Sequence, residues 1–366
     1  MKLQIERPYV ERMVEAFPSL APLAEQLRFG NKVEVPFDQF SSNELLFLQG
    51  LYREAGPKMQ GRFAQLSTLQ RALNDKSARF DAGDLEAVLP AVVRYLVADA
   101  IRGWIFTASA AGRPLPYVIT RLDYTPPSNE ETGRVFIEMK ANAKGAITSL
   151  TLRISAGDIA GKTVGEIFAA KGFVRETPEL IAAYDETEAR YYDWRARYGA
   201  QFSGTGTGYY AEDPSSTHRD VDWSRKDVIV LSSGGGAARL VNDEGILTTR
   251  ALTLEVTGDI LGQYLRKAAK SNLYEGEAEV AESKAAIKKG LFCRVPVHPY
   301  ILMFHLELHH YVWVHAADLT PYAYQPSLKR KLILPEEQTD LIDILTGEMD
   351  VLMDDIISGK SGGTTV

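Results

Sequence analysis

Apolar positions over the first hundred residues recur at helical spacing. Val10, Met13, Val14 and Phe17 fall on one side of a predicted helix that stops before Pro18. Leu85, Val88, Leu89, Val92, Val93, Leu96 and Val97 form a broader stripe after start signals at Asp81 and Asp84. The period then changes. Segments 116–124, 133–141 and 146–154 are rich in β-branched and aromatic residues and are parted by Pro, Gly and Asn. That texture predicts strands of an antiparallel sheet. Segment 163–172 reads as a short helix ended by Gly172, and 176–199 as a longer one.

From Gly204 to Trp223 periodicity is lost among Gly, Ser, Thr, Asp and Pro, which predicts a surface loop or linker. Strands resume at 227–233, 238–243 and 252–256, interrupted by a polar helix-like stretch at 264–290. Segments 301–306 and 311–316 form a predicted hairpin with Glu307–His310 as its turn. A final helix over 335–357 sets Leu341, Ile344, Leu345, Leu352 and Ile356 along one side, a face expected to dock on the preceding sheet region. The class is α+β: a helical N-terminal part, then two mostly antiparallel sheet-bearing regions and a C-terminal helix. The expected division is 1–203 (helical 1–105, sheet plus helices 106–203), a linker at 204–224, a second β-rich domain at 225–334, and a helix with exit linker at 335–366.

Composition adds limits. With 366 residues, 45% hydrophobic and 24% charged, the chain has ordinary globular make-up and length for two or three domains. A net charge of −7 gives no global basic field to steer nucleic acid, although a local patch could still hold it. One cysteine, Cys293, allows neither an internal disulfide nor a multi-cysteine zinc site; in GLFCRVPV it reads as a small buried hydrophobe. The N-terminus lacks the apolar core of a secretory signal, and no 18-residue apolar run occurs, so a cytoplasmic, membrane-free protein is expected.

Two stretches imitate a phosphate-binding loop. Gly161-Lys162-Thr163 lies between a predicted strand and helix, but the required first glycine position holds Ala156, and Gly157 leaves one residue too few. A tight turn capped by Thr163 explains it better. Gly359-Lys360-Ser361 has Asp354 at the first glycine position and follows a helix. The alternating Gly204, Gly206 and Gly208 do not match a dinucleotide fingerprint, and Gly234–Gly236 reads as a turn.

Five of the six histidines lie between His298 and His315. On a continuous strand His305, Glu307 and His309 would share a face, and two imidazoles with a carboxylate suit zinc or iron. A hairpin turn at that point would break the alternation. The metal-dependent enzyme centred on these three residues is therefore the alternative reading. A further alternative is an intact adaptor whose Thr364 and Val366 resemble a ligand for a carboxylate-binding PDZ groove.

The last seventy residues carry a resemblance. His298, Pro299 and Tyr300 form a His-Pro-aromatic turn; Tyr322 and Tyr324 a Tyr-x-Tyr; Leu332, Leu334, Pro335, Glu336 and Glu337 a Leu-x-Leu-Pro-Glu-Glu helix start; and Asp355 to Gly363 an Asp-Ile-Ile-x-Gly-Lys-x-Gly-Gly run. In combination this segment resembles the approach to the ATPase module in a family of AAA+ ATPases, bacterial with fungal relatives, that carry a large N-terminal region. The rest of the chain resembles that region more loosely. The resemblance implies that Thr364, Thr365 and Val366 open the first strand of the nucleotide-binding sheet. The phosphate loop, the Walker B acid and the arginine finger would lie beyond. It also implies that Ile333 and Leu334 are adenine-side contacts once that module is present. The resemblance thus implies a non-catalytic region that selects a protein substrate or partner. ATP and Mg²⁺ would be held by the chain's own ATPase module, which would assemble as a hexameric ring. No cofactor is expected in this chain itself.

Overall fold

The computed structural model describes residues 2–27, 30–70, 78–108, 113–129, 131–212, 223, 226–232, 236–246, 252–256, 259–271 and 277–324. Met1–Pro321 forms one compact unit and Tyr322–Val366 a second. Ten helices and three antiparallel sheets are found among the described residues, so the fold is α+β. None of the described helices is long and apolar enough to cross a membrane.

The N-terminal part holds α1 (Arg7–Ala16), α2 (Ala21–Gln26), α3 (Ser42–Glu54), α4 (Gln60–Gln70) and α5 (Leu85–Val97). α3 begins at a capping box in which Ser41 accepts from Glu44 N–H and the Glu44 carboxylate takes Ser41 N–H. Helical periodicity hides a strand pair here: β1 (Lys2–Glu6) runs antiparallel to β2 (Lys32–Pro36). Each is only five residues long, with Leu3, Ile5, Val33 and Val35 turned inward. Such brief alternation is hard to tell from one face of a helix.

The five-stranded sheet has the order β6-β5-β4-β3-β7. It comprises β3 (Trp104–Thr107), β4 (Leu115–Thr125), β5 (Arg134–Ala143), β6 (Ala146–Ser155) and β7 (Phe173–Arg175). β5 and β6 are joined through Lys144 and Gly145, at φ +54° and +72°. Positive φ at both central residues marks a type I′ hairpin turn, which suits the strands' right-handed twist. After β6 come α6 (Ala156–Ile159) and α7 (Val164–Ala170), and after β7 the nineteen-residue α8 (Pro178–Ala196), capped by Thr177 with Pro178 in its first turn.

The seven-stranded sheet follows β8 (Gln201–Gly204), β9 (Thr207–Ala211), β10 (Val228–Val230), β11 (Ala238–Asn242), β12 (Tyr300–His305), β13 (His310–His315) and β14 (Leu319–Pro321). Its order is β10-β9-β13-β12-β11-β8-β14. β8 and β9 are separated by Thr205 and Gly206 alone, yet they stand four places apart. In a flat sheet four places would be about 19 Å, whereas the Gly204-to-Thr207 link spans at most about 11 Å. The sheet therefore curls until one bent strand serves both of its ends, pairing with β11 before the bend and β13 after it. Phe202, Leu240, Ile301, Met303, Val312 and Val314 fill the interior.

The linker expected from Gly204 is corrected by this arrangement: the stretch through Ala211 is sheet, and residues 213–222 lie outside the described set. Its glycines answer close packing. A Cβ on Gly204 would overlap Leu240, and one on Gly208 would sit 2.8 Å from the Trp313 carbonyl oxygen. Two further expectations change. The strand expected at 252–256 is only a bridge from Glu255 to Arg294. The helix-like stretch 264–290 contains two helices, α9 (Gly262–Ser271) and α10 (Glu277–Ala286). The helix expected at 335–357 lies outside the described residues.

Candidate functional site

Gly161-Lys162-Thr163 forms a turn closed on itself and on residues 79–80. Gly161, at φ +68°, donates its N–H to Phe80 O at 2.8 Å, and Phe80 N–H reaches Lys162 O at 3.1 Å. Thr163 N–H is taken by Glu166 Oε2 at 2.9 Å, and Thr163 Oγ1 accepts Glu166 N–H at 3.2 Å. Arg79 grips the same Glu166 carboxylate through both terminal nitrogens, at 2.7 and 2.9 Å. A phosphate loop works by leaving such N–H groups aimed at a ligand. Here several are consumed internally, so the turn does not fit a nucleotide.

The histidine cluster splits into two ends of the β12–β13 hairpin. β12 stops at His305 and the turn occupies 306–309, with His309 at φ +54° and exposed. The alternation of His305, Glu307 and His309 is therefore broken, and the structure does not bring the three together. His305 is buried; its Nε2–H donates to Leu231 O at 2.9 Å, and its Nδ1 accepts N–H groups from Glu307 and Leu308 at 3.3 Å. Neither ring nitrogen has a lone pair to offer a metal. Among the described residues no group of three His, Cys, Asp or Glu side chains is placed to hold one.

The other end of the hairpin is a buried polar seam. His298 Nδ1 accepts from Trp223 Nε1–H at 2.9 Å, and its Nε2–H donates to Pro116 O at 3.0 Å. The ring meets Tyr117 edge-on at 4.7 Å. Both nitrogens need the neutral tautomer, and burial pushes the ring's pKa from 6.5 down to about 3. Nearby Lys144, whose ammonium lies 4.5 Å from the Trp223 ring centroid, adds to the shift. His315 is held well below its ordinary value by burial first, then by Arg113 and His298. Its Nδ1 accepts Ala317 N–H at 3.3 Å.

Beside His315, Arg113 forks onto Asp318, with Nε 3.4 Å from Oδ2 and a closer contact from Nη2 to Oδ1. Burial raises the Asp318 carboxyl above its usual range, against the pull of the guanidinium. The pair lines a cleft with Gln60, Ala64, Gly206 and Thr207 whose enclosed space is about 60 Å³. That is room for a few waters rather than a nucleotide. The arrangement is a clamp: Arg113 and Asp318 neutralise each other, and burial keeps the His298 and His315 imidazoles neutral.

Of the motif residues, His298 and Tyr300 belong to this seam, with the Tyr300 ring 4.6 Å from that of Trp223. Tyr322 meets Tyr324 edge-on at 5.1 Å, and Tyr324 is exposed. Ile333 and Leu334, the expected adenine contacts, lie outside the described residues, as does everything from Gln325 onward. Arg113 and Asp318 carry no local signature, because they meet across 205 positions. Comparison with protein-family models, curated proteins and solved structures gave no match for this chain.

Proposed function

We propose that this chain is a target-binding region of a AAA+ ATPase, itself without catalysis, whose ATPase module would use ATP and Mg²⁺ to remodel a macromolecule. The observation that carries the reading is the ordered set of motifs from His298 to Gly363, quoted above. The internally consumed Gly161–Thr163 turn supports it, since the nearest imitation of a phosphate loop is occupied by its own side chains. The protein substrate or partner would be engaged here, and the ring of modules would supply the work.

The test uses two lengths of protein. The 366-residue chain is expected to turn over no ATP above background, and Lys162→Ala is expected to change nothing, in a phosphate-release assay. A longer product of the same gene, carrying the sequence that follows Val366, is expected to hydrolyse ATP and to lose that activity in Leu334→Asp. ATP turnover by the 366-residue chain that disappears in Lys162→Ala would overturn the reading. So would a longer product that lacks nucleotide binding.

A further inference from the structure

Sheet edges expose unpaired backbone groups, and proteins usually shorten, charge or bend them. The edges here follow that rule with one exception. β7, β10 and β14 are three residues each, and β14 includes Pro321. β1 and β2 carry Lys2, Glu6, Lys32 and Glu34. β6, the terminal strand of its sheet, is ten residues long, contains no proline, and has one charged residue, Arg153. Its pairing with β5 runs in unbroken register from Ala146 to Ser155, so no bulge twists the edge away.

The hairpin turn decides which groups face outward. In a two-residue hairpin the flanking pair, Ala143 and Ala146, exchanges both hydrogen bonds, and bonded pairs then alternate. Thr148, Leu150, Leu152 and Ile154 thus bond to β5, whereas Ile147, Ser149, Thr151 and Arg153 turn their N–H and C=O groups to an edge that no strand among the described residues covers. Asn142, opposite Ile147, confirms the phase: its N–H and C=O point away from β6, to Pro296 O and from His298 N–H. The side chains of Ile147, Ser149, Thr151 and Arg153 are also the exposed ones, with Ile147 at 43%. Past Arg153 the edge is closed, because Ser155 N–H is taken by Asp158 at 2.8 Å.

We propose that the free edge of β6 accepts an added strand from an extended segment of a partner polypeptide, apolar beside Ile147 and acidic beside Arg153. This names the partner class for the target-binding region above and rests on that reading. A row of alternating donors and acceptors about 20 Å long, from Ile147 to Arg153, is matched by another extended backbone. The neutral, small Ser149 and Thr151 place little demand on the side chains opposite them. Arg153 sits 5.9 Å from the Phe136 ring centroid and pairs with no carboxylate among the described residues, so it selects an acid across the edge. A second copy of β6 offers no such acid, since its one charged residue is the same arginine.

The test uses the whole 366-residue chain and two labelled nine-residue peptides of alternating Thr and Val. One carries a Leu and, six positions on, an Asp; the other has Lys in place of the Asp. Fluorescence anisotropy is expected to show the Asp peptide binding about fivefold tighter, and Arg153→Glu is expected to reverse that order. Ser149→Pro removes an outward N–H while sparing the β5 ladder, and should weaken both peptides at least about tenfold. Amide exchange at Ile147, Ser149, Thr151 and Arg153 should slow when the Asp peptide is added. Should Ser149→Pro fail to fold, the charge swap at Arg153 decides. The proposal is overturned if neither peptide binds, if folded Ser149→Pro binds both unchanged, or if Arg153→Glu keeps the original order. Self-association of the chain that Ser149→Pro abolishes would assign the edge to a second copy instead. None of these readouts involves nucleotide, so their failure is separable from failure of the ATPase reading.

Discussion

Glu176→Ala is expected to lower the unfolding free energy by about 4 kcal/mol, among the largest effects of any single polar substitution here. The Glu176 carboxylate is buried and collects the backbone N–H groups of four consecutive residues. Ile101 and Gly103 each donate to Oε1 at 2.8 Å, Arg102 is shared between both oxygens at 3.1 and 3.2 Å, and Trp104 reaches Oε2 at 3.2 Å. Such a concave run of N–H groups is the kind of nest that elsewhere holds anions. In this chain it is filled by a side chain from just after β7, fastening the entry of β3 to its neighbour. Removal of the carboxylate leaves several donors without an acceptor, each costing about 1–3 kcal/mol less whatever entering water recovers. Urea unfolding of wild type and Glu176→Ala measures the difference, and a loss below about 1 kcal/mol would show that the nest is not a fastening.

Acid is expected to destabilise the protein through the histidines of the seam. Folding lowers the His298 pKa from 6.5 to about 3, and His315 shifts in the same direction. Below pH 6.5 the unfolded chain therefore takes up protons that the folded chain refuses. Stability from this source is complete above pH 6.5 and is lost as pH falls from there toward 3. For His298 alone the loss is about 2 kcal/mol at pH 5. The raised Asp318 carboxyl acts in the opposite sense, favouring the folded state as acid is added. His298→Asn removes one titrating group and leaves the others in place. Its unfolding free energy should accordingly change less between pH 7 and pH 5, by about 2 kcal/mol, despite a lower value at pH 7. Parallel pH profiles for the two proteins would rule out His298 as the source.

Local pattern was enough for elements that make their own case. The strand texture at 116–124, 133–141 and 146–154 became β4, β5 and β6, and the hairpin expected at 301–306 and 311–316 became β12 and β13. Thr163 signalled the start of α7 through capping chemistry, and the helix expected over 176–199 became α8. What could not be read depends on distant partners. β7 is three residues long and forms beside β3, and the four-residue β3 is itself held between β7 and β4. Gly204 and Gly208 carry a loop-like composition whose real cause, the Leu240 side chain and the Trp313 backbone, is remote in sequence. The clamp between Arg113 and Asp318 and the nest around Glu176 are of the same kind: ordinary residue types made distinctive by where the chain returns. His305, Glu307 and His309 do not share a face for a local reason, the end of β12 at His305 and the turn that follows it.

The bent strand also sets a schedule for biosynthesis. β8 needs β14 as its outer neighbour, and Gly204 pairs with Leu319, 115 residues later. At roughly 5–20 residues per second, that separation corresponds to about 6–23 s of synthesis during which the curled sheet cannot be completed. The five-stranded sheet is finished when β7 emerges, before β8 has been made. A ribosome carrying this chain would therefore present β8 without its outer neighbour for many seconds. That interval is when a chaperone holding the β8–β9 segment would matter most.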